Sequence, residues 1–349
     1  MLWQVVGLVV VAIAVNFYVN TLFFLDYNKR VFNHRPGPCR RIEGIENGSE
    51  DIEFVESKKL AFITSGLVYF PNPHAKYDGK IFLYDFKQGD GKYQAKDLKF
   101  VGMENEDFHP HGLSHFILKD GTIRLFVTSH SKQFKHSVYL FDFDESKQQL
   151  KLVQIIRDEK FVRPNDIAAF RGRIVPSHYQ CGSVVKYDGK KVEVVAAPEA
   201  SNGIIFSRDF KKFFVSHINH RTVAIYDWDQ KKKTLILQTK VPLLTAIDNF
   251  YIDKNNVLWI GSHPILKDAV AHLDAPDDLK FKAPSQVLRI QFSSDFKSHD
   301  ITEVFVDDGN FIAASSVAVE HNNQLLIGSV GRQLVHCDIA HPAVANSKL

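Results

Sequence analysis

The chain has 349 residues, of which 45% are hydrophobic and 24% are charged, and its formal net charge is +3. This apolar content is enough to bury a large core, which excludes a disordered polypeptide. Lysine and arginine are scattered along the sequence rather than concentrated in one stretch. The composition therefore does not indicate a nucleic-acid-binding protein.

The chain begins with an uncharged segment at residues 2–25. About 20 apolar residues are enough to cross a bilayer as a helix. Because the stretch is long and lacks a basic start, it predicts a retained signal-anchor at residues 1–28, with a cleaved signal peptide as the alternative. Lys29 and Arg30 follow it, and by the positive-inside rule alone they would leave the rest of the chain in the cytosol.

A short apolar run recurs six times in residues 29–349 and predicts a β-strand in each copy. Most runs are followed by a second predicted strand that ends in an aromatic residue and Asp, as at residues 81–85. Runs that recur at intervals of roughly 40 to 65 residues are typical of the blades of a β-propeller. The second domain is therefore predicted to be an all-β, six-bladed β-propeller. The runs are residues 60–65, 123–129, 173–177, 212–216, 258–262 and 325–329.

A polar cluster lies shortly before each apolar run. Any single Asn-Asp or Asn-Gly pair is explained as turn chemistry. Their recurrence in one register instead favours the starts of the first strands, which line the channel of a propeller. The side chains predicted to share this ring are Glu50, Asp51, Asn165, Asp166, Asn202, Asp248 and Asn249.

Carboxylate and amide oxygens of this kind predict a calcium site. Calcium takes six to eight oxygen ligands in irregular geometry, whereas zinc requires His and Cys at short spacings that this chain lacks. Calcium would act as a Lewis acid on a carbonyl or phosphoryl oxygen, so hydrolysis would still need a base. His111 begins a first strand and is the candidate base, and His130 could orient it; a pair of satisfied core histidines is the alternative. The histidines predicted to be surface or loop residues are His109, His115, His136, His217, His220 and His321.

The cysteines indicate the cellular compartment in which the propeller lies. Cys39 precedes the first blade and Cys337 lies in the last recognisable strand, so a disulfide between them would close the ring; three reduced thiols, including Cys181, are the alternative. A bridge indicates the endoplasmic reticulum lumen or the cell exterior. Asn47 begins a formal glycosylation sequon, whose use we do not expect if Ser49 is buried.

Several of these motifs together resemble the paraoxonase/arylesterase family. The resemblance runs in one order from about Cys39 to Cys337. It implies a six-bladed propeller with two calcium ions in its central tunnel and hydrolysis of lactones and aryl esters. The matching segments are residues 45–53, 110–114, 165–167, 200–204, 248–249, 258–264 and 285–291.

Carried over residue by residue, the resemblance implies particular roles. His111 and His130 match the family's proposed catalytic dyad, and His263 matches a pocket-lining histidine. Cys39 and Cys337 match its closing disulfide. The implied calcium ligands are Glu50, Asn165, Asn202, Asp248 and Asn249 for a catalytic ion, and Asp51, Asp166 and the backbone carbonyl of Leu113 for a structural ion.

The chain departs from the family pattern between Asp166 and Asn202. This stretch is short, where family esterases carry a longer aromatic segment that roofs the substrate pocket. Ser177 replaces an acidic residue, and Ser262 replaces a free thiol near the pocket. The resemblance thus supports the metal ring more strongly than the substrate roof.

Two functions follow as hypotheses. The first is a membrane-anchored, calcium-dependent hydrolase of small lactones or aryl esters in the endoplasmic reticulum lumen or outside the cell, secreted if the N-terminus is cleaved. The second is a non-enzymatic, membrane-anchored accessory protein that helps a membrane protein or channel to assemble. In the second, calcium would only rigidify the ring.

Overall fold

The structure, a computed structural model, describes residues 2–45, 47–72, 74–88, 93–170, 173–178, 184–196, 200–229, 231–276 and 278–340. Within these ranges an N-terminal helix is followed by 25 strands in six sheets, with only two further short helices. The predicted all-β, six-bladed propeller preceded by an apolar helix is confirmed.

Each sheet is one blade of antiparallel strands, numbered from the tunnel outwards except where stated. The closing strand β1 (Cys39–Arg41) comes first in the chain. Blade I holds β2 (Ile52–Val55), β3 (Leu60–Ser65), β4 (Lys80–Asp85) and β5 (Lys96–Asp97), and blade II holds β7 (His109–Ile117), β8 (Ile123–His130), β9 (His136–Asp144) and β10 (Gln149–Ile156), with β6 (Lys99–Val101) parallel at its outer edge. Blade III holds β11 (Pro164–Phe170), β12 (Arg173–His178), β13 (Val184–Tyr187) and β14 (Val192–Ala196), and blade IV holds β15 (Ser201–Phe206), β16 (Lys212–His217), β17 (Thr222–Asp229) and β18 (Thr234–Pro242). Blade V holds β19 (Ala246–Ile252), β20 (Val257–His263), β21 (Ser285–Phe292) and β22 (His299–Asp307), and blade VI holds β23 (Ser315–His321), β24 (Gln324–Ser329), β25 (Val335–Asp338) and then β1. The helices are α1 (Leu2–Phe24), α2 (Leu266–Asp274) and a 3-10 turn at Ile218–His220.

The recurring apolar runs form the second strand of each blade. Every residue of β3 and of β20 is buried. Both faces of these strands are covered because each blade packs between two neighbours. A strand buried on both sides shows a continuous apolar run instead of an alternating pattern, which explains why the repeat is readable in the sequence.

The first strands form a closed ring around the axis. Neighbouring first strands contact each other in the order β2, β7, β11, β15, β19 and β23, and β23 contacts β2 again. The polar clusters that begin these strands are therefore brought to one central tunnel.

The two ends of the chain close the ring in blade VI. β1 pairs antiparallel with β25, so that Cys39 lies opposite Cys337, and the two form a disulfide across 298 residues. The predicted bridge is confirmed. In the chain-entropy model so long a loop contributes on the order of 5 kcal/mol to the free energy of unfolding. Cys181 lies outside the described residues.

The helix α1 projects from the propeller with none of its residues buried, and it is long and apolar enough to cross a membrane. Its C-terminal end is attached to blades IV and V. The buried carboxylate of Asp26 accepts hydrogen bonds from Arg221 Nη1 at 2.7 Å and from the backbone N–H of Leu266 at 3.0 Å, and it lies 2.7 Å from Lys29 Nζ. The helix is thus fixed beside α2.

Candidate functional site

Polar residues enter the tunnel at β-bulges. In blade II, Pro110 pairs with Ser129 and Leu113 with Val127, so three steps on β7 oppose two on β8. Consecutive side chains of a regular strand alternate between its faces, whereas the extra residue of a bulge re-aims a side chain. The pairings of first and second strands in blades III to VI shift in the same way at residues 164–167, 201–204, 247–250 and 315–317.

Two of the bulges depend on glycine. A Cβ on Gly112 would lie 2.4 Å from Asp166 Cα, and a Cβ on Gly203 would lie 2.5 Å from the carbonyl oxygen of Asp248. Adjacent first strands can approach this closely only because neither position carries a side chain. The glycines therefore allow adjacent first strands to pack closely around the axis.

Five buried side chains in the tunnel form a set that we call the upper ring. Each carries an oxygen with no hydrogen-bond partner among the described residues. A buried polar atom left unpaired costs about 1–3 kcal/mol. Five such atoms on neighbouring strands indicate a missing ligand rather than five independent defects. The oxygens are Glu50 Oε2, Asn165 Oδ1, Asn202 Oδ1, Asp248 Oδ1 and Asn249 Oδ1.

Direct contacts hold part of the upper ring together. Asn249 Nδ2 donates to Glu50 Oε1 at 2.9 Å, although the two residues are 199 positions apart. Ser316 Oγ donates to the carbonyl oxygen of Glu50 at 2.5 Å, and His263 Nε2 lies 2.8 Å from Asp248 Oδ2. Asn165 and Asn202 occupy the equivalent bulges of blades III and IV. The predicted ligands of the catalytic ion thus begin neighbouring first strands, and direct contact between two of them is present for Glu50 and Asn249.

The donor set of the upper ring fits a hard cation. Two carboxylates and three amides present oxygen atoms and no sulfur, which is the ligand chemistry of calcium. Among the described residues no three His, Cys, Asp or Glu side chains form a metal-binding group by themselves. The amide oxygens are therefore essential to any cation site here, and a nitrogen- or thiolate-rich zinc site does not fit.

A second pair of carboxylates, Asp51 and Asp166, forms what we call the lower pair. Asp51 accepts backbone N–H groups from Ile52 and Leu113, each at 2.8 Å. Asp166 accepts those of Ile167 at 2.6 Å and Ile204 at 2.7 Å. Each carboxylate thus joins its own first strand to the next, so Asp51 connects blade I to blade II and Asp166 connects blade III to blade IV.

Burial makes the lower pair electrostatically unfavourable without a cation. It raises the pKa of the Asp51 carboxyl well above its usual range, and the nearby Asp166 raises it further. Burial also raises the pKa of Asp166 and of Asp248, with His263 partly offsetting the effect at Asp248. Carboxylates in this condition favour either protonation or a bound cation.

Three histidines form a chain from the upper ring towards the surface. His111 Nε2 lies 3.4 Å from Glu50 Oε1, and His111 Nδ1 is hydrogen-bonded to His130 Nε2 at 2.9 Å. His130 Nδ1 is in turn hydrogen-bonded to His136 Nδ1 at 2.8 Å. The predicted contact between His111 and His130 is present, whereas His136, which was predicted to be a surface or loop residue, lies half-buried in β9 and joins them.

Two other histidine predictions are wrong. His109 and His217 are buried rather than at the surface. Both lie inside strands, β7 and β16, and His109 Nδ1 is hydrogen-bonded to the carbonyl oxygen of Gly66 at 2.7 Å. The polarity of histidine does not by itself place it outside, because a backbone partner can satisfy the ring in the interior.

A cavity of about 520 Å³ lies near the histidine chain. Leu67, Tyr69 and Phe70 line one side, and Leu273 of α2 and Val330 line others. The Tyr69 ring lies 6.2 Å from the His111 ring. The short stretch between Asp166 and Asn202, which was expected to leave the pocket without a roof, lies partly outside the described residues, at 179–183. The cavity walls given above come from other segments of the chain.

The sequon is poorly placed for modification. Ser49 is buried, its hydroxyl donates to the carbonyl oxygen of Gln333 at 2.6 Å, and it accepts the N–H of Ser329 at 3.0 Å. This burial meets the condition under which we do not expect glycosylation at Asn47.

The fold and the site define a class, that of closed six-bladed propellers whose first strands carry buried oxygen donors into an axial tunnel. A family model described as Arylesterase matches residues 33–173 and 170–339. The chain belongs to the arylesterase family.

Individual relatives agree with this assignment. Human serum paraoxonase/lactonase 3 is 31% identical over 90% of this chain and 94% of its own length. Mechanosensory abnormality protein 6 of Caenorhabditis elegans is 29% identical over 93% of this chain and 92% of its own. Among solved structures, a gluconolactonase from Xanthomonas campestris matches 89% of this chain and 99% of its own with a TM-score of 0.54 and 14% identity, which shows the fold alone.

Proposed function

We propose that the protein is a calcium-dependent hydrolase of lactones and aryl esters that α1 holds at a membrane. The observation that carries the proposal is the set of unpaired buried oxygens in the upper ring, next to His111, whose ring lies 6.2 Å from that of Tyr69 in the wall of a cavity. Membership of the arylesterase family supports ester chemistry.

The residues present fit two ions. The upper ring would hold one, and Asp51, Asp166 and the carbonyl of Leu113 would hold the second. Calcium in the upper ring would supply a Lewis acid for the carbonyl oxygen of the substrate.

The other groups of the site have roles that follow from their contacts. Asn165 and Asn202 would orient the substrate carbonyl from adjacent blades. His111 Nε2 would accept a proton from the attacking water, while the hydrogen bond to His130 holds the ring of His111 in place. His263 would fix the orientation of Asp248, which it contacts at 2.8 Å.

The apolar wall of the 520 Å³ cavity suits the aryl or alkyl part of a small ester. Its location beside Tyr69 would bring the carbonyl of such a substrate towards His111.

The compartment is part of the proposal. An exposed apolar helix of 23 residues is long enough to span a bilayer, and the Cys39–Cys337 disulfide favours an oxidising environment. We therefore infer that the propeller lies in the endoplasmic reticulum lumen or outside the cell. In sealed microsomes or intact cells, a protease added from the cytosolic side should leave the propeller uncut; complete digestion would contradict the orientation.

A second candidate function is a membrane-anchored accessory protein without catalysis. The observation that favours it is the fixed attachment of α1 through Asp26 and Arg221, together with the similarity to mechanosensory abnormality protein 6, whose name describes a sensory role and no hydrolase. In that role calcium would serve the ring's rigidity only.

One experiment separates the two functions. The full-length protein in detergent would be assayed against a panel of lactones and phenyl acetate, with and without a chelator, while its thermal stability is followed. Turnover that is lost on chelation and restored by calcium supports the hydrolase. A calcium-stabilised protein with no turnover supports the accessory role.

The base assignment has its own test. His111→Gln should lower kcat by roughly 100-fold or more, because general base catalysis typically contributes that much. The matched control is His299→Gln at an exposed position of β22, which should retain full activity. Unchanged turnover in the His111 variant would remove this residue from the mechanism.

A further inference from the structure

The chain of histidines extends past the dyad to the protein surface. His111 and His130 are buried, whereas His136 is half-buried at the start of β9. The two links of the chain measure 2.9 and 2.8 Å between nitrogens. A continuous path of hydrogen bonds therefore runs from His111 towards solvent.

The chemistry of neutral imidazole restricts this path to two arrangements. Each neutral ring has one N–H donor and one acceptor nitrogen. If His111 donates from Nδ1, His130 must accept at Nε2 and donate from Nδ1 to His136. If His111 instead accepts at Nδ1, both bonds reverse. The three rings thus hold a single polarity together, as a proton wire does.

The surroundings of His136 keep it available to exchange protons. Burial and the charge of Arg163 lower the pKa of His136 to about 4, so the ring does not retain a proton at neutral pH. Burial and His111 lower the pKa of His130 well below its usual range. Phe134 contacts the rings of both His130 and His136, and the Arg163 guanidinium lies 4.8 Å from the Phe134 ring centre.

We propose that His136 is a positioning residue that forms the solvent end of a three-histidine proton relay serving His111. This inference rests on the proposed hydrolase function. The relay is needed because a substrate bound at the upper ring would cover Nε2 of His111. The buried base can then exchange protons with solvent only through its other nitrogen.

In the proposed relay, each proton that one group releases is taken up by the next group or by solvent. As the O–H bond of the attacking water breaks and its oxygen bonds to the carbonyl carbon, His111 Nε2 takes the proton. Nδ1 of His111 passes its proton to His130 Nε2, Nδ1 of His130 passes its proton to His136 Nδ1, and His136 releases the Nε2 proton to solvent. When the ester C–O bond breaks, His111 Nε2 donates to the leaving alkoxide. The wire then returns to its first polarity as His136 takes up one proton from solvent.

The kinetic test uses His136→Gln in the full-length protein. The glutamine oxygen can still accept a hydrogen bond from His130 but cannot pass a proton onward. We expect kcat to fall about tenfold with little change in KM. This loss is smaller than the loss on removing a general acid or base itself, because His136 acts on the reaction only through His130 and His111. Added imidazole should restore kcat, because His136 is half-buried and the vacated site can be reached from solvent. His299→Gln is the control and should show neither effect.

A spectroscopic test does not depend on turnover. In ¹⁵N-histidine spectra of the calcium-loaded protein, His136→Phe should change the tautomer populations of His130 and His111 together, while His299→Phe should leave both unchanged. Signals of His111 that do not respond to the loss of His136 would overturn the relay. So would a kcat loss in His136→Gln that imidazole does not restore, or no loss at all.

No calcium-dependent turnover in the unaltered protein would remove the hydrolase, and with it the catalytic role of the relay, even if the ring signals are coupled. Turnover that is independent of His136 would remove the relay alone.

Discussion

The upper ring and the lower pair arise from adjacent residues of the same first strands, yet their hydrogen bonding differs. Asp51 and Asp166 each accept two backbone N–H groups, one from their own strand and one from the next. Each of the five upper-ring side chains keeps an unpaired oxygen. The difference teaches that hydrogen bonds of the lower pair join neighbouring blades, whereas the upper ring keeps oxygen atoms that no described residue pairs.

The largest expected effect tests the joining role of the lower pair. Asp166→Ala should lower the free energy of unfolding by about 4 kcal/mol, because it leaves the buried N–H groups of Ile167 and Ile204 without an acceptor. Chemical denaturation in the presence of chelator measures this. The control is Asp300→Ala at an exposed position of β22, which should change stability by less than about 0.5 kcal/mol. Equal effects of the two substitutions would show that the lower pair does not hold the blades together.

In the upper ring a substitution is expected to weaken calcium binding rather than to lower stability. Glu50→Gln removes one charge but can keep the contact with Asn249, so the stability in chelator should change little. Calcium affinity should fall by roughly 100-fold, since an ion ligand contributes at least as much as the groups that orient it. Isothermal titration calorimetry measures the affinity. A large loss of stability in chelator with unchanged affinity would reverse the roles assigned to the two levels.

The smallest expected effect concerns pH. Because burial raises the pKa of Asp51, Asp166 and Asp248, the metal-free folded state binds protons more tightly than the unfolded state. The contribution of these three carboxyl groups to the stability of the metal-free folded state is therefore fully present below the ordinary pKa of Asp. This contribution decreases as the pH rises through the raised pKa values. Calcium needs the ionised carboxylates, so it should offset this loss increasingly with pH.

Thermal unfolding checks this sign. The increase in Tm on adding saturating calcium should be larger at about pH 7.5 than at about pH 5, by a few degrees. An increase that is the same at both pH values would show that these carboxylates do not bind the ion.

Much of the fold was predictable because its signals are local. A strand buried on both faces needs a continuous apolar run, so six runs such as the one in β3 indicated six blades. Cys39 and Cys337 lie at the two ends of the repeats, and a ring has to be closed where its ends meet. The buried oxygen donors were also visible, since they recur in one register.

The histidines show where local signals end. His111 could be recognised because it begins a first strand, but His136 resembles any histidine that follows a loop. Its link to His130 depends on how β8 and β9 pair, which places His130 opposite His136. The burial of Asp26 against Arg221, 195 residues away, could not be predicted for the same reason.

The sequence by itself determined the number of blades, the closing bridge, the apolar N-terminal helix and the residue types of the tunnel. Only the tertiary structure decided which oxygens are paired and which are open, since that depends on bulges and on backbone groups from the next blade. Apolar periodicity is a property of neighbouring residues. The contact between Glu50 and Asn249, in contrast, exists only once the ring has brought blades I and V to a common axis.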